Sequence, residues 1–328
     1  MSSVIHFGIN LGFAKYVSGT QAALEFVRRD LDLRVVEAVT DNDFGPALFL
    51  LDSGAFHARH RAAGQKARDL GLRIPTVFTF YRDGGAVAHP DPAVRFAART
   101  VLSSLAHQAQ AMGAQYACAA LMTADRDHFA ANPDACTAQA FGAWRSWMEE
   151  ALAIGLAGLV LEMSAQARED CATVAQTRST LDRLRQHHEA NPETTVPVHL
   201  CYDLGHGISP AEAPADAERD YRAWFRAFSG EILEVHVKNT DARFLATWPF
   251  TSEFEGRGII DPDQVVAAVR DLLERDVLLM LEIAGKRGRE IGEQAILKDL
   301  AETVVRWKRA LRSARYQERE DGAWELAG

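Results

Sequence analysis

The sequence predicts an α/β protein of the (β/α)8, TIM-barrel class. Two observations carry that expectation. Eight short runs rich in apolar and β-branched residues alternate with longer stretches whose apolar residues recur at three- and four-residue spacing. Four consecutive runs also end in an ionisable side chain, at the strand ends where a barrel gathers its reactive groups. The 328 residues would fit one barrel with decorations or two ordinary domains. No low-complexity linker divides them, and no GxGxxG follows the first run, which disfavours a doubly wound nucleotide-binding sheet. One barrel over residues 1–310 is expected, with a polar C-terminal extension over 311–328.

The elements follow in order. "VIHFGIN" (4–10) reads as the first strand, because it lacks the basic and long apolar regions of a signal peptide. "LRVVEAV" (33–39), "RIPTVFTF" (73–80) and "AQYACAALM" (114–122) are the next three. "GLVLEMS" (158–164), "VPVHLCYD" (196–203), "ILEVHVKN" (232–239) and "DVLLMLEI" (276–283) complete the eight. Near-continuous apolar character suits parallel strands covered on both faces. Between them, "TQAALEFVRRDL", "AVRFAARTVLSSLAHQAQAMG" and "DPDQVVAAVRDLLERD" carry helical spacing, and Asp261 and Asp263 suit the start of the last. "DLGLRIP", "AMGAQY" and "AIGLAGLV" each place a Gly where a helix should stop before the next buried strand.

Composition excludes several classes. With 48% hydrophobic and 25% charged residues the chain is globular and can bury a large core. A net charge of −9 opposes a nucleic-acid surface, and no apolar run approaches the roughly 20 residues of a membrane helix. Cys118, Cys136, Cys171 and Cys201 show no CxxC spacing and read as reduced thiols. A cytoplasmic enzyme is expected, forming an oligomer and contacting neither nucleic acid nor membrane.

The strand ends carry the chemistry. Strand five ends in Glu162, strand six in Asp203, strand seven in His236 and strand eight in Glu282. Side chains alternate along a strand, so one polar residue near each top can point to the barrel axis. Any one of them could equally be a helix cap or a salt-bridge partner. Together, three buried carboxylates without a cation would repel one another, so a divalent metal is the natural occupant. Oxygen ligands with one imidazole suit Mn, with Mg or Co as alternatives, better than a thiolate-type zinc site. Cys201 shares the face of Asp203 and reads as core filling.

The Glu–Asp–His–Glu series resembles the xylose-isomerase-like TIM-barrel superfamily of sugar isomerases and epimerases. "DLGH" (203–206) resembles that family's Asp-x-x-His, and "EGRGIIDP" (255–262) its G-x-G-x-[IV]-[DN] segment. The resemblance implies that Glu162, Asp203, His236 and Glu282 ligate one metal ion and that His206 binds substrate. Departures limit the transfer. The ketose 3-epimerase branch carries a Glu six residues after the strand-five ligand and an Arg six after the His ligand, where this chain has Arg168 and Ala242; Glu169 and Arg243 lie one residue further on. The long aromatic segment "TDARFLATWPFTSEFEGRG" resembles superfamily members known only as sugar isomerase/epimerase-like proteins, and also the α subunits of C-glycoside deglycosidases.

Such a site implies proton abstraction next to the ketone of a keto sugar, with Glu162 and Glu282 as the acid/base pair and His206 assisting. Return of the proton to the other face epimerises, return to the adjacent carbon isomerises, and expulsion of a β substituent makes a lyase. The deglycosidase alternative acts on 3-oxo-glycosides and needs a small partner subunit; a non-catalytic sugar-binding barrel is the third reading. A DNA-repair endonuclease would need more His and Asp ligands and a basic face. Lys238 shares the face of His236 and could bind substrate oxygen or balance the carboxylates. Glu37 reads as an inward structural pairing. Trp248 and Phe250 could wall the sugar or pack the loop. His57 and His60 read as a surface helix, His187 and His188 as a polar loop or helix end, and "GKRGRE" (285–290) as a solvated basic loop where barrels can also hold phosphate.

Overall fold

A computed structural model describes residues 4–43, 45–81, 83–208, 216–241, 246–283 and 292–327. Among the described residues, eight strands form the barrel: β1 (Ile5–Asn10), β2 (Val35–Val39), β3 (Thr76–Phe78), β4 (Tyr116–Ala120), β5 (Gly158–Glu162), β6 (Val198–Asp203), β7 (Ile232–Val237) and β8 (Val277–Leu281). The principal helix after each is α1 (Thr20–Arg29), α2 (Ser53–Asp69), α3 (Pro92–Met112), α4 (Pro133–Ala153), α5 (Val174–Ala190), α6 (Tyr221–Ala227), α7 (Pro262–Leu272) and α8 (Glu293–Ser313). The sheet order runs from β2 through β8 to β1, and β1 pairs again with β2. This is the closed (β/α)8 barrel that the alternating pattern predicts.

The chain divides into two compact units. The first comprises residues 1–37, 68–73 and 202–328. Within it β1 runs parallel to β8, from Ile5 opposite Val277 to Ile9 opposite Leu281, and to β2, with Asn10 opposite Glu37. β7 runs parallel to β8 with His236 opposite Met280. Its core is aromatic: Phe7 stacks on Trp307, Phe250 meets the same indole edge-on, and Tyr202 lies against Trp224 and Phe225. A ring such as Phe7, 1% exposed, contributes about 2–3 kcal/mol by its removal from water.

The second unit comprises residues 38–67 and 74–201. Within it β2, β3, β4, β5 and β6 pair in parallel succession, and Glu162 stands opposite Cys201. Trp144 is packed edge-on against Trp147 and donates its indole N–H to the Leu121 carbonyl at 2.9 Å.

The caps form where the sequence places them. Asp261 accepts the Asp263 amide at 2.9 Å with Pro262 in the first turn of α7. Gly113 closes α3 at φ 81°, a left-handed conformation that a β-carbon disfavours. One reading is corrected. His60 is not on the surface: it is fully buried one turn after Phe56, and the two rings pack edge-on at 4.5 Å. Residues 311–313 continue α8, and the following segment is built into the sheet as a hairpin of β9 (Tyr316–Glu318) and β10 (Ala323–Leu326). β10 pairs antiparallel with the start of β1, and Ala323 and Trp324 are buried. His187 and His188 fall in the last turn of α5. The "GKRGRE" loop, Ala242 and Arg243 lie outside the described residues.

Candidate metal centre

Three of the four strand-end groups sit in the first unit. Asp203 is the last residue of β6, His236 is next to last in β7, and Glu282 directly follows β8. Strand geometry explains their convergence. His236 stands opposite Met280, and Glu282 lies two residues beyond, so alternation returns it to the face of His236. All three are buried, and their candidate ligand atoms lie within 4.8 Å of one another. His236 Nδ1 is 3.2 Å from Glu282 Oε2.

Glu162, fully built into the second unit as the last residue of β5, is 3% exposed. Within that unit it stands opposite Cys201 in the β5–β6 pair.

Asp203 divides its two oxygens between structure and chemistry. Oδ1 accepts the amides of Gly205 at 2.7 Å and His206 at 3.1 Å, capping the short helix that follows. Oδ2 faces Lys238 Nζ at 2.5 Å and His206 Nε2 at 3.7 Å. Lys238 also reaches both oxygens of Glu282, at 3.1 and 3.0 Å. Burial alone would raise the Asp203 pKa, but the charges of His206, Lys238 and His236 outweigh it and hold the carboxyl well below the usual range. Asp203 is an anion in this site.

An ammonium held between two buried carboxylates is a stand-in for a metal cation: charge, burial and hard oxygen donors all suit a divalent ion there. The residues present therefore fit a metal. When bound, it would supply Lewis-acid polarisation of a carbonyl and its neighbouring hydroxyl.

Behind His236 lies a layer that sequence reasoning only partly found. Glu37, expected as an inward structural pairing, is fully buried with Oε2 3.1 Å from His236 Nε2. Asn10 Nδ2 donates to the same oxygen at 2.5 Å, and Glu234 Oε1 is 3.8 Å from His236 Nε2. Burial and the Glu234 charge push Glu37 up to about 8, against the pull of His236 and Asn10. Asn10 and Glu234 were missed; Asn10 ends the first apolar run and Glu234 interrupts the seventh.

The remaining candidates are placed as follows. His206 is 3% exposed beside Asp203. Trp248 is 6% exposed and stacks on Phe254 at 5.1 Å, with the Arg257 guanidinium 5.1 Å from its ring, so its indole serves loop packing. Phe250 packs on Trp307. A β-carbon on Gly258 of the "EGRG" stretch would run into the Asn239 side chain, which makes that glycine a steric requirement. In the second unit, Glu169 is 1% exposed and accepts from Thr123 Oγ1 at 3.3 Å, while Arg168 donates to the Ala124 carbonyl at 2.7 Å. No helix among the described residues is long and apolar enough to cross a membrane.

Fold and site define a (β/α)8 barrel with a buried carboxylate and imidazole group able to hold a metal ion. A model of the family described as xylose isomerase-like TIM barrel matches residues 28–310, and the chain belongs to that family. D-erythrulose 1-phosphate 3-epimerase of Brucella abortus (strain 2308) is 27% identical over 168 residues, 51% of this chain and 52% of that protein. The match thus spans about half the length of that curated relative. Among solved structures, a provisionally assigned xylose isomerase from Rhodospirillum rubrum ATCC 11170 superimposes with a TM-score of 0.80 at 21% identity, over 93% of this chain and 99% of that one. D-psicose 3-epimerase from Clostridium cellulolyticum H10, crystallised with D-tagatose, gives 0.63 at 15% identity over 96% and 98%. At these identities the structural likeness is one of fold.

Proposed function

We propose that the chain is a divalent-metal-dependent isomerase or epimerase that abstracts a proton next to the ketone of a keto sugar. The observation that carries this reading is the convergence of Asp203, His236 and Glu282 on one buried spot, with the Lys238 ammonium held between the two carboxylates. The relative named for a 3-epimerase reaction on a phosphorylated keto sugar supports the substrate class. In this reading Glu162, Asp203, His236 and Glu282 hold one ion, with Mn the best match to three carboxylates and an imidazole.

The protein's own groups do the proton work. One of Glu162 and Glu282 takes the proton from the carbon beside the ketone, and the other, or His206 through its Nε2, returns one. Return to the opposite face inverts the centre. His206 and Lys238 orient substrate oxygens from beside Asp203, and Trp248 contributes at most the edge of its packed indole. The test is solvent deuterium uptake at the carbon beside the ketone. A panel of keto sugars, their phosphates and 3-oxo-glycosides should be incubated in heavy water with Mn and with a chelator. Uptake with Mn that the chelator abolishes supports the reading. Elimination products in place of exchange would favour a lyase, and no turnover on any member would favour a sugar-binding barrel.

A further inference from the structure

Resting on the metal reading above, we propose that Glu37 is a positioning residue that fixes the orientation and tautomer of His236, so that Nδ1 presents its lone pair to the ion. The two ring nitrogens of His236 face opposite demands. Nδ1 points to the group of Asp203 and Glu282, 3.2 Å from Glu282 Oε2. Nε2 lies 3.1 Å from Glu37 Oε2, in a region where both side chains are fully buried. A ligating imidazole needs its second nitrogen to carry the proton, and the Glu37 side-chain oxygen 3.1 Å away is the acceptor placed for that N–H.

The acceptor is itself held in place. The Asn10 amide orientation is set from the other side, because its Oδ1 accepts the Gly12 amide at 2.7 Å. Its Nδ2 must therefore be the group that donates to Glu37 Oε2 at 2.5 Å. The register agrees: Asn10 is opposite Glu37 in the β1–β2 pair. Glu234, two residues before His236 on the same strand face, is a poorer partner at 3.8 Å. The chain Gly12 amide, Asn10, Glu37, His236 thus runs from the backbone after β1 to the metal ligand. Glu37 stands in the middle of β2, and it acts on the site through the imidazole.

The test compares Glu37→Gln and Glu37→Leu with Glu234→Gln and the parent chain. Gln keeps the shape and replaces the carboxyl with an amide; Leu removes the acceptor. Each chelator-stripped protein is titrated with Mn by calorimetry, after circular dichroism shows an intact fold. Both Glu37 variants should bind Mn about 10- to 100-fold more weakly, the size of effect that outer-shell partners have on metal affinity. Glu234→Gln should stay close to the parent value. In proton NMR of the zinc-loaded chain, the hydrogen-bonded imidazole N–H of His236, assigned by its loss in His236→Asn, should be displaced in both Glu37 variants and kept in Glu234→Gln. Parent-like Mn affinity, or an unmoved N–H signal, in folded Glu37 variants overturns the positioning role alone. A parent chain that takes up no divalent ion overturns the metal reading and this role with it.

Discussion

Lys238 Nζ sits 2.5 Å from Asp203 Oδ2 and 3.0 Å from Glu282 Oε2, all three groups buried. Two carboxylates this close in a dry interior need a cation between them. Without metal, that cation is supplied by Lys238, which directly follows β7. Lys238→Met should therefore destabilise the chelator-treated protein by about 3–5 kcal/mol, the cost of stranding a buried charge. Saturating Mn should restore most of the loss. Thermal melts with chelator and with Mn check this, and a variant equally stable in both would contradict it.

His206 is beside Asp203 without being one of the proposed ligands; its Nε2 is 3.7 Å from Oδ2. His206→Ala should keep the bound ion while lowering kcat by about 10²–10⁴-fold, as removal of a general acid/base does. Metal content and turnover measured on one preparation separate the two effects.

Gly258 abuts the Asn239 side chain, immediately after Lys238. Gly258→Ala should cost about 1–3 kcal/mol by overpacking. Urea denaturation would show it as a lower midpoint with an unchanged slope.

The four cysteines are buried and joined in no disulfide. Burial raises the Cys136 and Cys171 thiols above their ordinary value, Cys171 strongly, so the reactive thiolate is scarce at neutral pH. Native protein should resist iodoacetamide at all four positions and label fully in guanidinium, as peptide mass mapping would show.

The barrel was legible because its signals are local. Apolar runs of strand length, a Gly such as Gly113 at a helix stop and an Asp such as Asp261 at a helix start are all set by nearest neighbours in the chain. The strand-end groups were legible for the same reason: Asp203 and Glu282 each interrupt an apolar run where it should end. The layer behind them was harder to see. Glu234 lies inside its run, two residues before His236 on the same strand, and only the register of β1 with β2 brings Asn10 to Glu37. The terminal hairpin was invisible for a related reason. "YQE" and "AWEL" are short and mixed in polarity, and their place is set by pairing with Ile5 and His6, more than 300 residues away. His60 was misjudged because "AFHARHRAAG" places two Arg beside its two His, although Phe56 and His60 share one helix face.

The most direct test of the metal centre is elemental analysis of the Mn-reconstituted, desalted chain beside Asp203→Asn and His236→Ala. Asp203→Asn removes an anionic donor with little change in volume, and His236→Ala removes the imidazole. The expected result is about one divalent ion per parent chain, the single-ion stoichiometry of one such ligand set, with clear loss in both folded variants. A parent chain that retains no ion, or equal retention by all three proteins, would contradict the metal centre.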